Sequence, residues 1–365
     1  MGKNIMICCD GTNNEFKDNL TNVVITYQLA EKSDRQMCYY DPGVGTGRWE
    51  YNEDGGSLKS VSDAATGTGL QKNIEQAYEF LMNNFVKGDK VYLFGFSRGA
   101  FTVRALAGML NKVGLLGPEH KNLVEYAYKI YTPNQDEDDV VRNKALAKDF
   151  KATFSRKCPV HFIGAWDTVQ ATAVAAFGEF DHCEMTPETT HGRQALAIDE
   201  IRDDFPPTPW NESALKTSQT CEQLWFSGVH SDVGGGYNNR KLANIPLRWM
   251  LLQASEKGLH IDVEKLLDAS KYPTDPNAFQ HDSHRGMWII RGSTERNIAK
   301  LMQGKKVNFH DSVKTRLDSY AATKAAIKKA RKSDDNIDKA YKYEPDNLPA
   351  VSKRIYVPDV LPDLI

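Results

Sequence analysis

Apolar and polar positions follow two rhythms along the first two-thirds of the chain. Short, nearly unbroken apolar runs occur at residues 5–9, 37–40, 91–94, 160–166 and 223–229. Runs this short and this apolar predict strands covered on both faces, as in a parallel sheet. Between them the spacing lengthens. Leu70, Ile74, Ala77, Tyr78 and Leu81 recur every three or four positions, which predicts an amphipathic helix over residues 70–84. Residues 21–30 show helical spacing too, with Thr21 or Asn22 as cap. Residues 100–110 read as a helix, and residues 120–156 as highly charged helical sequence. Asp10-Gly11-Thr12-Asn13, Asp41-Pro42-Gly43 and Gly88-Asp89 mark turns at strand and helix ends.

Strands alternating with helices imply a mostly parallel sheet with helices on both faces. Residues 245–350 read as mostly helical and polar, and the lysine-rich stretch 324–332 as a solvated helix surface. No repeat or low-complexity linker divides the 365 residues. The expectation is a single α/β domain over 1–365, with a core at 3–250 and a helical C-terminal elaboration at 250–350.

Composition narrows the function classes. A net charge of −2 provides no global field to attract nucleic acid. The six cysteines form no CxxC pair and read as reduced core thiols. The N-terminal apolar run ends at Asp10, too short for a signal peptide, and no stretch approaches the roughly 20 apolar residues of a membrane span. The expectation is a chain without a transmembrane segment, cytoplasmic or exported without a cleaved signal.

The chemistry concentrates at Gly95-Phe96-Ser97-Arg98-Gly99, between a predicted strand and a predicted helix. A serine on a sharp strand-to-helix turn, with glycines two before and two after, is the arrangement of an α/β-hydrolase nucleophile. Its hydroxyl needs a base, and the base needs an orienting carboxylate. In such hydrolases the chain order is Ser, then Asp or Glu, then His. Asp167 ends the run at 160–166, and His230 ends the run at 223–229. His310, in Asn308-Phe309-His310-Asp311, is the rival base, and Asp232 is an alternative acid two residues beyond His230. For the oxyanion, the backbone of Arg98 is one donor, and the turn Gly11-Thr12-Asn13 is the best-placed source of a second. Phe96 lines the same turn. Residues 171–180, ATAVAAFGEF, are read either as a lid or lipid-facing loop, or as an alanine-rich helix packed on the core.

The strings CCDGTNN, YYDPGVGTG, GTGLQKNIEQAYEFLMNNFVKGDKVYLFGFSRGAFTVRALAGML, WDTV, ALAIDEIRDDFPP, WFSGVHSDVGGGY and FHDSV occur in this order. Together they resemble the catalytic domain of the type VI secretion lipase effector family, over residues 3–316. The resemblance implies an α/β-hydrolase fold with a Ser97-Asp167-His230 triad and no cofactor. It implies hydrolysis of esters, phospholipid acyl chains among them, and a cognate immunity protein or a secretion component as partner. Two other readings stand beside it. One keeps the triad and changes the substrate to a soluble acyl ester, a thioester or a polysaccharide acetyl group. The other is a metal-dependent hydrolase built on Asp10, Asp41 and Asp232, carboxylates at predicted strand ends.

Overall fold

The computed structural model describes residues 2–11, 19–43, 67–132, 137–169, 184–284, 286–303, 305–330, 345 and 347–359. In chain order the strands are β1 (Asn4–Cys9), β2 (Gln36–Asp41), β3 (Lys90–Phe96), β4 (Leu115–Leu116), β5 (Ser155–Arg156), β6 (Val160–Trp166), β7 (Thr189–Ala197), β8 (Thr220–Phe226), β9 (Val307–His310) and β10 (Arg354–Val357). The helices are α1 (Asn22–Leu29), α2 (Gly67–Asn84), α3 (Arg98–Val113), α4 (Val124–Tyr131), α5 (Glu137–Phe154), α6 (His230–Gly234), α7 (Asn244–Glu256), α8 (Val263–Leu267), α9 (Ile298–Leu301) and α10 (Asp311–Ala330). Short 3₁₀ turns, one of them at Gly286–Arg291, complete the elements.

Among the described residues eight strands form one sheet in the order β2-β1-β3-β6-β7-β8-β9-β10, every neighbouring pair parallel. The side-chain alternation of a strand divides the core into two layers. Ile5, Ile7, Cys9, Val91 and Leu93 face one way, onto Ile74 and Leu81 of α2, Phe101 and Leu106 of α3 and Ile130 of α4. Met6, Cys8, Tyr92, Phe94 and Phe162 face the other way, onto Ile25 of α1 and Trp249 and Met250 of α7. Helices therefore cover both faces, and this is why the central strands carry no polar alternation. Thr21 caps α1 through its side chain, which accepts from the Val24 N–H.

The pattern of apolar runs predicted five strands of the large sheet; β7, β9 and β10 are additional. In β7, Arg193 and Gln194 are buried and interrupt the apolar run. Arg193 bonds Gln253, and Gln194 bonds Gln223. The region 245–350, expected to be mostly helical, holds α7–α10 but also β9, and β9 and the following β10 join the large sheet. A third apolar cluster joins that region to the sheet through Leu196, Trp225, Ile298, Val307, Phe309 and Val313. Five cysteines of the described residues are free thiols, and burial pushes Cys8 and Cys9 well above their ordinary values. Among the described residues no helix is long and apolar enough to cross a membrane. The candidate lid at 171–180 lies outside the described residues.

Candidate active site

The C-terminal ends of β3, β6 and β8 bring the candidate residues to one edge of the sheet. Ser97 follows β3 directly and adopts φ 58°, ψ −124°. A non-glycine residue with this backbone is strained, and such strain persists only where the surroundings fix it. Here the Ser97 N–H donates to the Trp166 carbonyl (3.0 Å) and the Ser97 carbonyl accepts from Phe101 (3.3 Å). Ser97 occupies the N-cap position of α3, yet its hydroxyl makes no capping bond. The hydroxyl is thus not engaged in the bond that an ordinary cap serine makes.

Gly99 shows why the motif needs a glycine on the helix side. A Cβ there would lie 2.1 Å from the Cys9 carbonyl oxygen and 2.5 Å from that of Asp10, both backbone atoms. Only glycine lets α3 pack this close to the end of β1. Gly99→Ala is expected to lose about 3 kcal/mol of stability, the upper end of overpacking costs, measured by urea denaturation, and to displace the serine turn.

Asp167 follows β6, the neighbour of β3, with Phe96 paired to Trp166 in register. It also has a positive φ, 39°, and is fully buried. Four donors converge on its carboxylate. His230 Nδ1 lies 2.6 Å from Oδ2, and Arg296 Nη1 and Nη2 donate to Oδ1 (2.7 Å) and Oδ2 (2.9 Å). The Ala197 N–H donates to Oδ1 at 2.9 Å. Burial works to raise this carboxyl, but the Arg296 guanidinium and His230 outweigh it and hold it well below the usual carboxylate range.

His230 opens α6, four residues beyond the last residue of β8. Its ring lies on Phe96 (centroids 4.5 Å apart) and meets the edge of Phe205 (4.9 Å). Gly234 permits this placement, since a Cβ there would fall 2.0 Å from the Phe96 ring. With Nδ1 turned to Asp167, Nε2 is the nitrogen left for a proton partner. Burial pulls the imidazole below its ordinary value, against the opposing pull of Asp167 and Glu200. It is therefore neutral at pH 7, the form a general base requires. Plots of kcat/KM against pH are expected to rise through an apparent pKa below about 6.5 and stay flat through neutrality.

Glu200, just after β7, anchors the loop that carries the histidine. Its carboxylate accepts from the His230 N–H (3.2 Å), Ser283 Oγ (2.9 Å) and the Arg202 side chain (3.0 and 2.8 Å). Burial works to raise it, and Arg202 and His230 bring it down to about 2. Arg202 in turn stacks on Phe205, 3.5 Å from the ring centroid. Both carboxylates have depressed values in the fold. They therefore stabilise it above the ordinary carboxylate range, and that stability is lost as pH falls toward these lower values.

His310, at the end of β9, places Nδ1 2.9 Å from Ser312 Oγ and Nε2 3.1 Å from Asp359, with its ring stacked on Phe226. The structure brings Asp167 to His230, and gives His310 these separate partners. Asp232 accepts from His281 through Nδ1 (2.6 Å) and through its backbone N–H (3.0 Å), so it ties a neighbouring loop to α6. The Gly11 N–H donates to Asp10 Oδ1 (2.8 Å), which occupies it, and Thr12 and Asn13 lie outside the described residues. The half-buried Arg98 opens α3 at its first turn, and burial lowers its guanidinium to about 10. Asp10 also accepts from Thr21 (2.6 Å) and Tyr40 (3.1 Å), and Asp41 from Asn73 (2.9 Å). Among the described residues no group of three His, Cys, Asp or Glu side chains is arranged to hold a metal ion.

A family of known sequences matches residues 3–253, more than half of the chain; its description is "T6SS, Phospholipase effector Tle1-like, catalytic domain". The chain belongs to this family. A relative of this Tle1-like chain in Saccharomyces cerevisiae, an uncharacterized protein, is 35% identical over 218 residues, covering 56% of this chain and 32% of its own. Two solved structures are similar at low identity. An uncharacterized protein from Pseudomonas aeruginosa has 17% identity and a TM-score of 0.44, covering 75% of this chain and 49% of its own. The Tle1 effector bound to the VgrG spike of the type VI secretion system has 20% identity and a TM-score of 0.33, covering 65% and 51%. The Tle1-like chain thus spans about a third of the curated relative and half of each solved structure.

Arg296, Glu200, Arg202 and Phe205 were not singled out from the sequence. Glu200, Arg202 and Phe205 fall inside ALAIDEIRDDFPP, one of the strings that carry the family resemblance. Arg296 lies beyond the matched region, in a polar loop with no pattern to mark it.

Proposed function

We propose that the chain is a serine hydrolase that cleaves the acyl esters of phospholipids. The observation that carries this reading is the 2.6 Å Asp167–His230 pair beside a strained serine turn, in a chain of a phospholipase effector family. Ser97 Oγ attacks the acyl carbonyl carbon while His230 Nε2 takes its proton. The Arg98 N–H, at the start of α3, is a donor for the oxyanion. Collapse breaks the ester bond, and the proton on Nε2 passes to the departing lysophospholipid hydroxyl. Water, deprotonated by His230, then releases the fatty acid and frees Ser97. Asp167 stays ionised throughout and fixes the imidazole tautomer. A type VI secretion component is the class of partner this reading brings with it.

The test is fatty-acid release from phosphatidylglycerol and phosphatidylethanolamine vesicles, compared with short-chain p-nitrophenyl esters and with esters presented below their aggregation limit. Release from vesicles that exceeds turnover of the soluble esters supports a phospholipase. Turnover of soluble esters alone would move the substrate to a small acyl ester while keeping the triad.

A further inference from the structure

We propose that Arg296, which lies outside the family-matched region, is a positioning residue of the catalytic triad and sets the working range of the base. The inference rests on the triad reading above. Its ground is geometric. The guanidinium grips both oxygens of Asp167 in a fork (2.7 and 2.9 Å) and donates to the carbonyls of Ala197 (2.8 Å) and Phe205 (2.9 Å). Both members are buried, with side-chain exposures of 3% and 0%. The planar fork fixes the carboxylate plane, and Oδ2 is held where it meets His230 Nδ1.

The segment that supplies Arg296 is itself held at both ends. Upstream, Thr294 donates to the Ile201 carbonyl (2.8 Å) and Ser293 bridges to Arg202, the exit loop of β7. Downstream, Ile298 is fully buried against Leu196, Trp225 and Phe309. The guanidinium is therefore carried to the triad by packing against β7, β8 and β9.

The electrostatic consequence concerns the base. In most triads the orienting carboxylate faces the imidazole with its full negative charge, which favours the imidazolium. Here that charge is matched by a cation in direct contact. Of the other charged groups around His230, Glu200 accepts from its N–H and pairs with Arg202, and Asp232 on its own helix accepts hydrogen bonds from His281. Arg296 thus offsets part of the pull that Asp167 exerts on the His230 proton and adds to the effect of burial, which favours the neutral base.

The experiment uses the full chain as wild type, Arg296→Gln and Arg296→Lys. The rate of fluorophosphonate labelling of Ser97 is followed from pH 4.5 to 9, kcat and KM are measured on one ester, and the His230 ring is titrated by NMR. Removing the cation in Arg296→Gln leaves Asp167 unmatched. The acid limb of the labelling profile and the His230 titration should both move up by about one pH unit, with kcat lowered more than KM is raised. Arg296→Lys keeps a cation without the fork. Its acid limb should remain near that of wild type while kcat falls; if Arg296→Gln does not fold, an Arg296→Lys variant with undiminished kcat overturns the inference. A folded Arg296→Gln variant whose His230 titration and acid limb are unmoved would overturn the inference. Wild type that labels no serine would instead overturn the triad reading on which it rests.

Discussion

Ser97→Ala is expected to abolish ester turnover and leave the fold intact. The loss in kcat should be on the order of 10⁶-fold, the scale seen when a serine nucleophile is removed and only binding and oxyanion contacts remain. Stability should change by less than about 1 kcal/mol, within the range of substitutions that break no structural feature. The Ser97 hydroxyl caps no helix, so the methyl group of alanine leaves no helix donor without a partner. The backbone keeps its φ of 58° because the Trp166 and Phe101 hydrogen bonds involve main-chain atoms alone. Turnover measurements and thermal melts on the same preparation check both halves. Activity retained in Ser97→Ala would place the chemistry elsewhere.

Asp167→Asn is expected to act on activity and stability together. In activity, an amide at this position loses the charge that stabilises the imidazolium, and it permits the wrong tautomer. That costs about 10⁴-fold in kcat in serine triads. In stability, the substitution removes the buried anion that Arg296 grips. An amide NH₂ would point donors at one arm of the guanidinium, and the buried cation would lose its charge partner. Breaking a buried ion pair by removing one member costs about 3–5 kcal/mol. Urea unfolding of Asp167→Asn should show a loss of that size, whereas Ser97→Ala should not. A variant as stable as wild type would mean that the Arg296 fork does not carry the burial of this carboxylate.

The contrast between these two substitutions follows from how the site is built, and it bears on how far the sequence discloses it. The β3–Ser97–α3 unit is legible because everything it needs is local: an apolar strand, a glycine on each side of the serine, and a helix rhythm after it. Asp167 is legible for a similar reason, as an acid placed at the end of a fully apolar run. The choice between His230 and His310 is different. Both histidines follow apolar runs, and only the sheet order, which sets β8 two places from β6, brings one of them to Asp167. Arg296 is further out of reach. It meets Asp167 across 129 residues of chain, from a polar loop whose composition resembles any exposed turn. Strand β7 was hidden by its own chemistry: Arg193 and Gln194 are buried through hydrogen bonds to Gln253 and Gln223, so the run lacks the apolar signal of a covered strand.

The central claim is that one serine, activated by one histidine, forms the acyl-enzyme. The most direct measurement is labelling of the full chain with a fluorophosphonate, followed by peptide mapping, for wild type, Ser97→Ala and His230→Ala. The account expects a single adduct on Ser97 in wild type, none in Ser97→Ala, and labelling slowed by several orders of magnitude in His230→Ala. An adduct on another residue, or His230→Ala labelling as fast as wild type, would contradict it.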